Sequence, residues 1–324
     1  MHTDFNHGVA TVETGLFLKA LNRHGIGFDA LQPYCSADRE FAKGTNRLAL
    51  AKAVFDPERE FKDSLKCLAS EMLCVLPLLR HLTETALILP SIAAERASFL
   101  AMCEVCSILQ QTKRQFGSHL ASRLRAAQMQ HRRLFVSAYG ASECKPKHHF
   151  SLHLPAQIFK TGFLIDAFVL ERKHKTGKKF GSRHVLHNGW EASVLARCMA
   201  DQISAYDENT FIDSLIGPRT ESTDVAATLG VPQAIISENM QFEGKNVAVD
   251  DVIISGQRAL LIRACVFSTN GFELIVKPYT FWQKRHSATV YKPENGLDIY
   301  NFADAKFHTP DYWTFEAAGT LLVI

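Results

Sequence analysis

Long uninterrupted apolar runs are missing from this 324-residue chain, and so are the signature loops of several enzyme classes. The longest apolar region, LASEMLCVLPLLRHLTETALILPSIAA from Leu68, is broken by Glu71, Arg80, His81 and Glu84. That excludes a span of about 20 apolar residues, so no membrane is expected and the region reads as a core helix pair. There is no G-x-S-x-G elbow and no P-loop, and no Ser or Cys stands in a recognisable order with His and Asp, so a metal-independent hydrolase has no support. No signal-peptide pattern opens the chain, and its eight cysteines are scattered through mostly apolar helical patterns, which predicts reduced thiols in an intracellular protein. No repeat and no low-complexity tract is visible. A large net charge of either sign is also missing: the value is +3, so attraction to a polyanion has to come from local patches.

What is present supports a folded chain of more than one unit. Apolar residues make up 47% and charged residues 21%, and single cores stop growing near roughly 250 to 300 residues. Residues 8–24 place Val9, Val12, Leu16, Leu18 and Leu21 at near-helical spacing, ended by Gly25. Asp56-Pro57-Glu58 offers an N-cap for a helix carrying Phe61, Leu65, Leu68, Met72 and Leu76, which Pro77 should end or kink. From Ser91 to Tyr139 there is no proline and one glycine, Gly117, and arginines 114, 123, 125, 132 and 133 suit exposed helix faces. After residue 230 the pattern turns to period two in NVAVDDVIIS, ALLIRACVFST, FELIVKPYTFWQ and SATVYK, with a hairpin signal at Asn270-Gly271 and a last strand at TLLVI. The predicted fold class is α+β, with a mainly helical N-terminal two-thirds and a small C-terminal antiparallel β-barrel or sheet. Residues 1–140 form the helical region, 141–206 a strand and a helix, 207–229 a linker, and 230–324 the β domain.

The most unusual stretch is CKPKHHFSLHLPAQIFKTGFLIDAFVLERKHKTGKK, residues 144–179. Alternation over His148–His153 predicts a short strand, Pro155 opens a helix-like AQIFK, and Gly162 breaks the chain. FLIDAFVLERKHKT then has helical length and carries Glu171 at its edge. One acid, Glu171, stands against Arg172, Lys173, Lys175, Lys178, Lys179 and Arg183, a surface suited to DNA phosphates. A carboxylate so placed can ligate a divalent metal; it can equally pair with Lys175 on an exposed helix face, worth about 0.3 kcal/mol.

This stretch resembles the CACTA-type (En/Spm-like) DDE transposases and their transposon-derived relatives, many of which read KPxxHxxxHxPxQIxxxGPLxxxWxxxFERxxxxxK. The chain keeps Lys145-Pro146, His149, His153, Pro155, Gln157-Ile158, Gly162, Leu164 and Glu171-Arg172; it departs at Phe163 and Val169-Leu170. Met1-His2, followed by Gly8 and ETGLFLKAL, is similar to the segment after the second catalytic Asp of that family. The resemblance implies that residues 141–206 belong to an RNase H-like core interrupted by a helical insertion, that Glu171 is the third metal-binding acid, and that His2 flanks a second Asp upstream of Met1. It implies Mg²⁺ in a complete site, with His149 and His153 in support, and a nuclear location. With the first two acids absent, the chain is expected to be an inactive fragment of such an enzyme. The alternative is a non-catalytic module binding nucleic acid or protein. The sequence assigns no oligomeric state.

Three other groups have their own readings. Cys144, His148, His149 and His153 match no standard zinc spacing, so zinc is not expected. Cys103-x-x-Cys106 sits within a helical pattern and reads as core. Trp282, with Tyr279, Phe281, Lys284 and Arg285, reads as barrel core and rim; the other reading is a stacking surface for single-stranded bases or a peptide site.

Overall fold

The computed structural model describes residues 8–35, 54–55, 65, 67–111, 118–162, 164, 180, 189–207, 213–242, 245–302, 307–310, 312–316 and 319–324. The chain divides into two compact units, one of residues 1–168 with 285–288 and 324, the other of residues 169–284 with 289–323.

In the first unit the helices follow the apolar spacing. Helix α1 (Val9–Asn22) buries Phe17, Leu18 and Leu21 and ends at Gly25, whose positive φ allows the chain to turn. A short α2 (Phe28–Leu31) follows. Helix α3 (Ala69–Thr85) differs from expectation in its start and runs on past Pro77. It begins at Ala69, where the Glu71 carboxylate accepts from the Leu68 backbone N–H at 2.8 Å, and residues 56–64 lie outside the described residues. Pro77 does not end it: Met72, Val75, Leu76, Leu79 and Leu82 bury one continuous face, and that burial outweighs the backbone bond a proline cannot donate.

Helices α4 (Ala93–Gln111) and α5 (Ser118–Tyr139) pack along each other, and α1 packs on α4 through the stacked rings of Phe17 and Phe99, 4.4 Å apart. The described arginines of α5 face solvent, as their spacing implied. The segment read as a strand is instead helix α6 (Pro146–Ser151), followed by α7 (Leu154–Thr161). Pro146 occupies the first helical turn, and the buried positions Ser151, Leu154, Pro155 and Ile158 fall at helical rather than alternating spacing.

In the second unit, helix α8 (Trp190–Asp207) precedes the strands. The stretch read as a linker holds β1 (Ser214–Ile216), β2 (Thr220–Glu221) and α9 (Thr223–Leu229), capped by the Ser222 hydroxyl and by Gly230 in the left-handed region. The remaining strands are β3 (Ala234–Ser237), β4 (Asn239–Phe242), β5 (Lys245–Ala248), β6 (Val252–Ser255), β7 (Arg258–Ser268), β8 (Gly271–Arg285), β9 (Ala288–Pro293), β10 (Asp298–Asn301), β11 (Trp313–Phe315) and β12 (Leu321–Val323). The expected hairpin is present: β7 and β8 pair from Ser268↔Gly271, and Gly271, not Asn270, carries the positive φ.

The architecture is α+β with a C-terminal antiparallel sheet, but the sheet does not close into a barrel. Its order runs β11-β12-β9-β8-β7-β3-β2 with two free ends; β6 also pairs β7, β10 also pairs β8, and β1-β4-β5 form a separate small sheet. Both faces of the central strands are covered. Leu260 and Ile262 enter one cluster with Leu274 and Val276, whereas Ala259 and Leu261 enter another with Tyr279, Tyr291 and Trp313. A bulge at Arg263 absorbs one residue, so Cys265 stays with the first cluster while Val266 joins a third. Without the bulge those two side chains would exchange faces.

Candidate functional site

Three helices of the first unit place a buried polar network within a mostly apolar core. Glu13 of α1 has one carboxylate oxygen 2.7 Å from the Ser98 hydroxyl of α4 and the other 2.8 Å from Nε2 of His131 of α5. All three side chains are buried. Because the acid lies between the hydroxyl and the imidazole, this is not the order of a nucleophilic triad, in which the imidazole is central. Its chemistry is that of a buried carboxyl group held in place by two side-chain partners.

Helix α6 packs against the same network. The His148 ring lies parallel to that of His131 with centroids 6.5 Å apart, and meets Phe135 at 4.7 Å. Its Nδ1 accepts from the Lys145 backbone N–H at 3.1 Å, while its Nε2 is buried without a partner. Burial, followed by the neighbouring His131, pushes the His148 imidazole down to about 4, so it is neutral at physiological pH. Beside it the Gln128 amide donates to the backbone oxygen and hydroxyl of Ser151 at 2.8 and 3.1 Å, and its own oxygen is buried and unpaired. Gln128, His131, Phe135, Cys144 and His148 line a cavity of about 20 Å³, room for a single water-sized group and none for a substrate.

The two histidines of the family-like motif face outward. With α6 helical, His149 and His153 converge until their Nε2 atoms are 3.2 Å apart with the rings nearly perpendicular, and both are exposed. After α7 the chain turns at Gly162, in the left-handed region, and buries Leu164. Glu171, Arg172, Lys173, Lys175, Lys178, Lys179 and Arg183 lie outside the described residues, as does His2.

No protein-family model, no curated protein and no solved structure matches this chain.

The described residues do not by themselves fit a divalent metal. Both oxygens of Glu13 are engaged, and among the described residues no group of three or more His, Cys, Asp or Glu converges. Cys103 and Cys106 are buried in α4, and burial raises the Cys103 thiol well above its usual range, in keeping with core packing. No described helix is long and apolar enough to cross a membrane.

Trp282 and Phe281 overturn the core reading: both are exposed, at 45% and 43%, while Tyr279 is buried. Glu13, Ser98 and His131 were missed by sequence reasoning, yet two signals mark them. Glu13 is the one charge within the apolar run VATVETGLFL, and the buried stripe of α5 reads Leu120, Leu124, Gln128, His131, Phe135, with two polar positions inside helical spacing.

Proposed function

We propose that the chain carries the part of a CACTA-type DDE transposase, or of a transposon-derived relative, that holds the last metal-binding acid. In this reading residues 141–206 belong to an RNase H-like core, Glu171 is that acid, and Arg172, Lys173, Lys175, Lys178, Lys179 and Arg183 face DNA. A nuclear location follows from the same resemblance.

One observation supports the reading. The two segments that carry the resemblance, far apart in sequence, meet in one unit: α1 packs on α6, and His148, at a variable position between the retained Pro146 and His149, stacks on the imidazole that Glu13 holds. A motif that merely formed a solvated helix would not need that contact.

One carboxylate does not hold the pair of metal ions that strand transfer requires. The 324-residue chain by itself is therefore expected to bind DNA without cutting it. Changing Lys173, Lys175, Lys178 and Lys179 together to Ala should lower the slope of log affinity against log salt by about 3 to 4 on duplex DNA. An unchanged slope would remove the DNA-facing role. Mg²⁺-dependent cleavage by the purified chain, abolished by Glu171→Gln, would sink the expectation of inactivity.

A further inference from the structure

We propose that the ribbon made by the end of β8 and the neighbouring β9 binds single-stranded DNA, with a base stacked on Trp282 and the phosphates drawn by Lys284 and Lys292. The inference does not rest on Glu171.

Strand geometry opens the site. Strand β7 pairs β8 as far as Arg258↔Thr280, and Phe281 N–H still bonds the Gln257 carbonyl at 3.2 Å. Beyond that point β8 has outrun β7, leaving β9 as its companion. Thr280, Phe281 and Trp282 are exposed in succession, so both faces of the ribbon meet solvent. Alternation from Leu274 and Val276 puts Trp282 and Lys284 on one face, and Phe281 with Tyr279 on the other. From β9, Lys292 brings its ammonium to 3.9 Å from the Trp282 ring centre.

Charge selects the partner. Residues 281–293 contain Lys284, Arg285, His286 and Lys292 and no Asp or Glu. The acids that follow, Glu294 and Asp298, are both held by Arg258, at 3.0 and 3.1 Å. An exposed indole beside the exposed Lys284 and Lys292 suits a polyanion that offers flat rings. A base arriving at Trp282 displaces the Lys292 ammonium towards the phosphate, exchanging an exposed cation–π contact for stacking plus an ion pair. Duplex DNA keeps its ring faces covered, and an acidic peptide has none to offer.

The test uses the full chain with Trp190→Phe, so that emission reports the exposed Trp282 above the buried Trp313. Titration with a short oligodeoxythymidylate is expected to quench that emission saturably. Trp282→Leu should weaken binding of the labelled oligonucleotide by about tenfold or more, and Trp282→Phe should retain most of it. Lys284→Ala with Lys292→Ala should reduce the salt slope by about 1.4, as expected for two single-strand phosphate contacts. Phe281→Ala, on the opposite face, should leave affinity within about twofold. Matching thermal unfolding of Trp282→Leu and its parent separates lost binding from lost folding. The proposal is overturned by absence of quenching, by equal or tighter binding of blunt duplex, of oligouridylate or of an acidic peptide, or by equal loss in Phe281→Ala. Replacing the lysines at 173, 175, 178 and 179 tests the preceding function and should leave the Trp282 quenching in place.

Discussion

Glu13 is a residue on which the helical unit depends, since a carboxyl group without solvent exposure is tolerated only while both oxygens are occupied. His131→Ala removes one partner and should cost about 3–5 kcal/mol in urea unfolding, whereas Glu13→Gln, which keeps hydrogen-bonding capacity without the charge, should cost less. His148 gives the unit a pH dependence. Its folded value lies below its unfolded one, so the unfolded chain binds the extra proton between them. Stability should be unaffected by this group above about 6.5 and should fall as pH drops from there towards about 4. A His148→Gln chain should show a shallower loss over that window; equal curves would show that the imidazole does not set it. Neither residue was legible as a site, because burial of a polar side chain depends on helices brought together from distant parts of the sequence. The stripe on α5 carried the information, but a polar residue at a core position has no partner until the fold supplies one.

At the scale of the element, strong periodicity was readable and short alternation was not. Helices α1, α4 and α5, the β7–β8 hairpin and the final strand lie where spacing and turn chemistry put them. Six residues from His148 to His153 alternate convincingly, yet Pro146 at a helix start and the buried Ser151, Leu154 and Ile158 settle a helix. The change of element matters: a strand would hold His149 and His153 about 13 Å apart, and a helix turn brings them together. Pro77 is a second instance, because a breaker acts only when packing does not outweigh it. Pro77→Ala should restore a backbone bond and raise stability, by up to about 3 kcal/mol in denaturant unfolding, if the site repacks without strain. Gly162→Ala should destabilise by about 1–2 kcal/mol, since the helix cap there requires a left-handed backbone.

Across the whole molecule, α+β architecture was legible from the switch of period after residue 230, but barrel closure was not. Closure depends on how strand ends meet, and β2 and β11 end the sheet order without pairing each other. Burial also sorts the thiols: Cys67, Cys74, Cys103, Cys106 and Cys265 are buried, whereas Cys144 and Cys198 are half-exposed. Of these, Cys144 and Cys198 should react with an aromatic disulfide in native buffer, and the buried five only on unfolding, as read by mass spectrometry of the labelled chain. The branched sheet has a kinetic meaning too. Strands β3, β6, β9 and β10 all attach to the β7–β8 pair, and that pair joins neighbours in sequence through a two-residue turn. Its loop closes before any other pairing has a template, so the hairpin is the natural folding nucleus of the β unit. Gly271→Ala, straining that turn, should then slow refolding in stopped-flow while leaving the unfolding rate nearly unchanged.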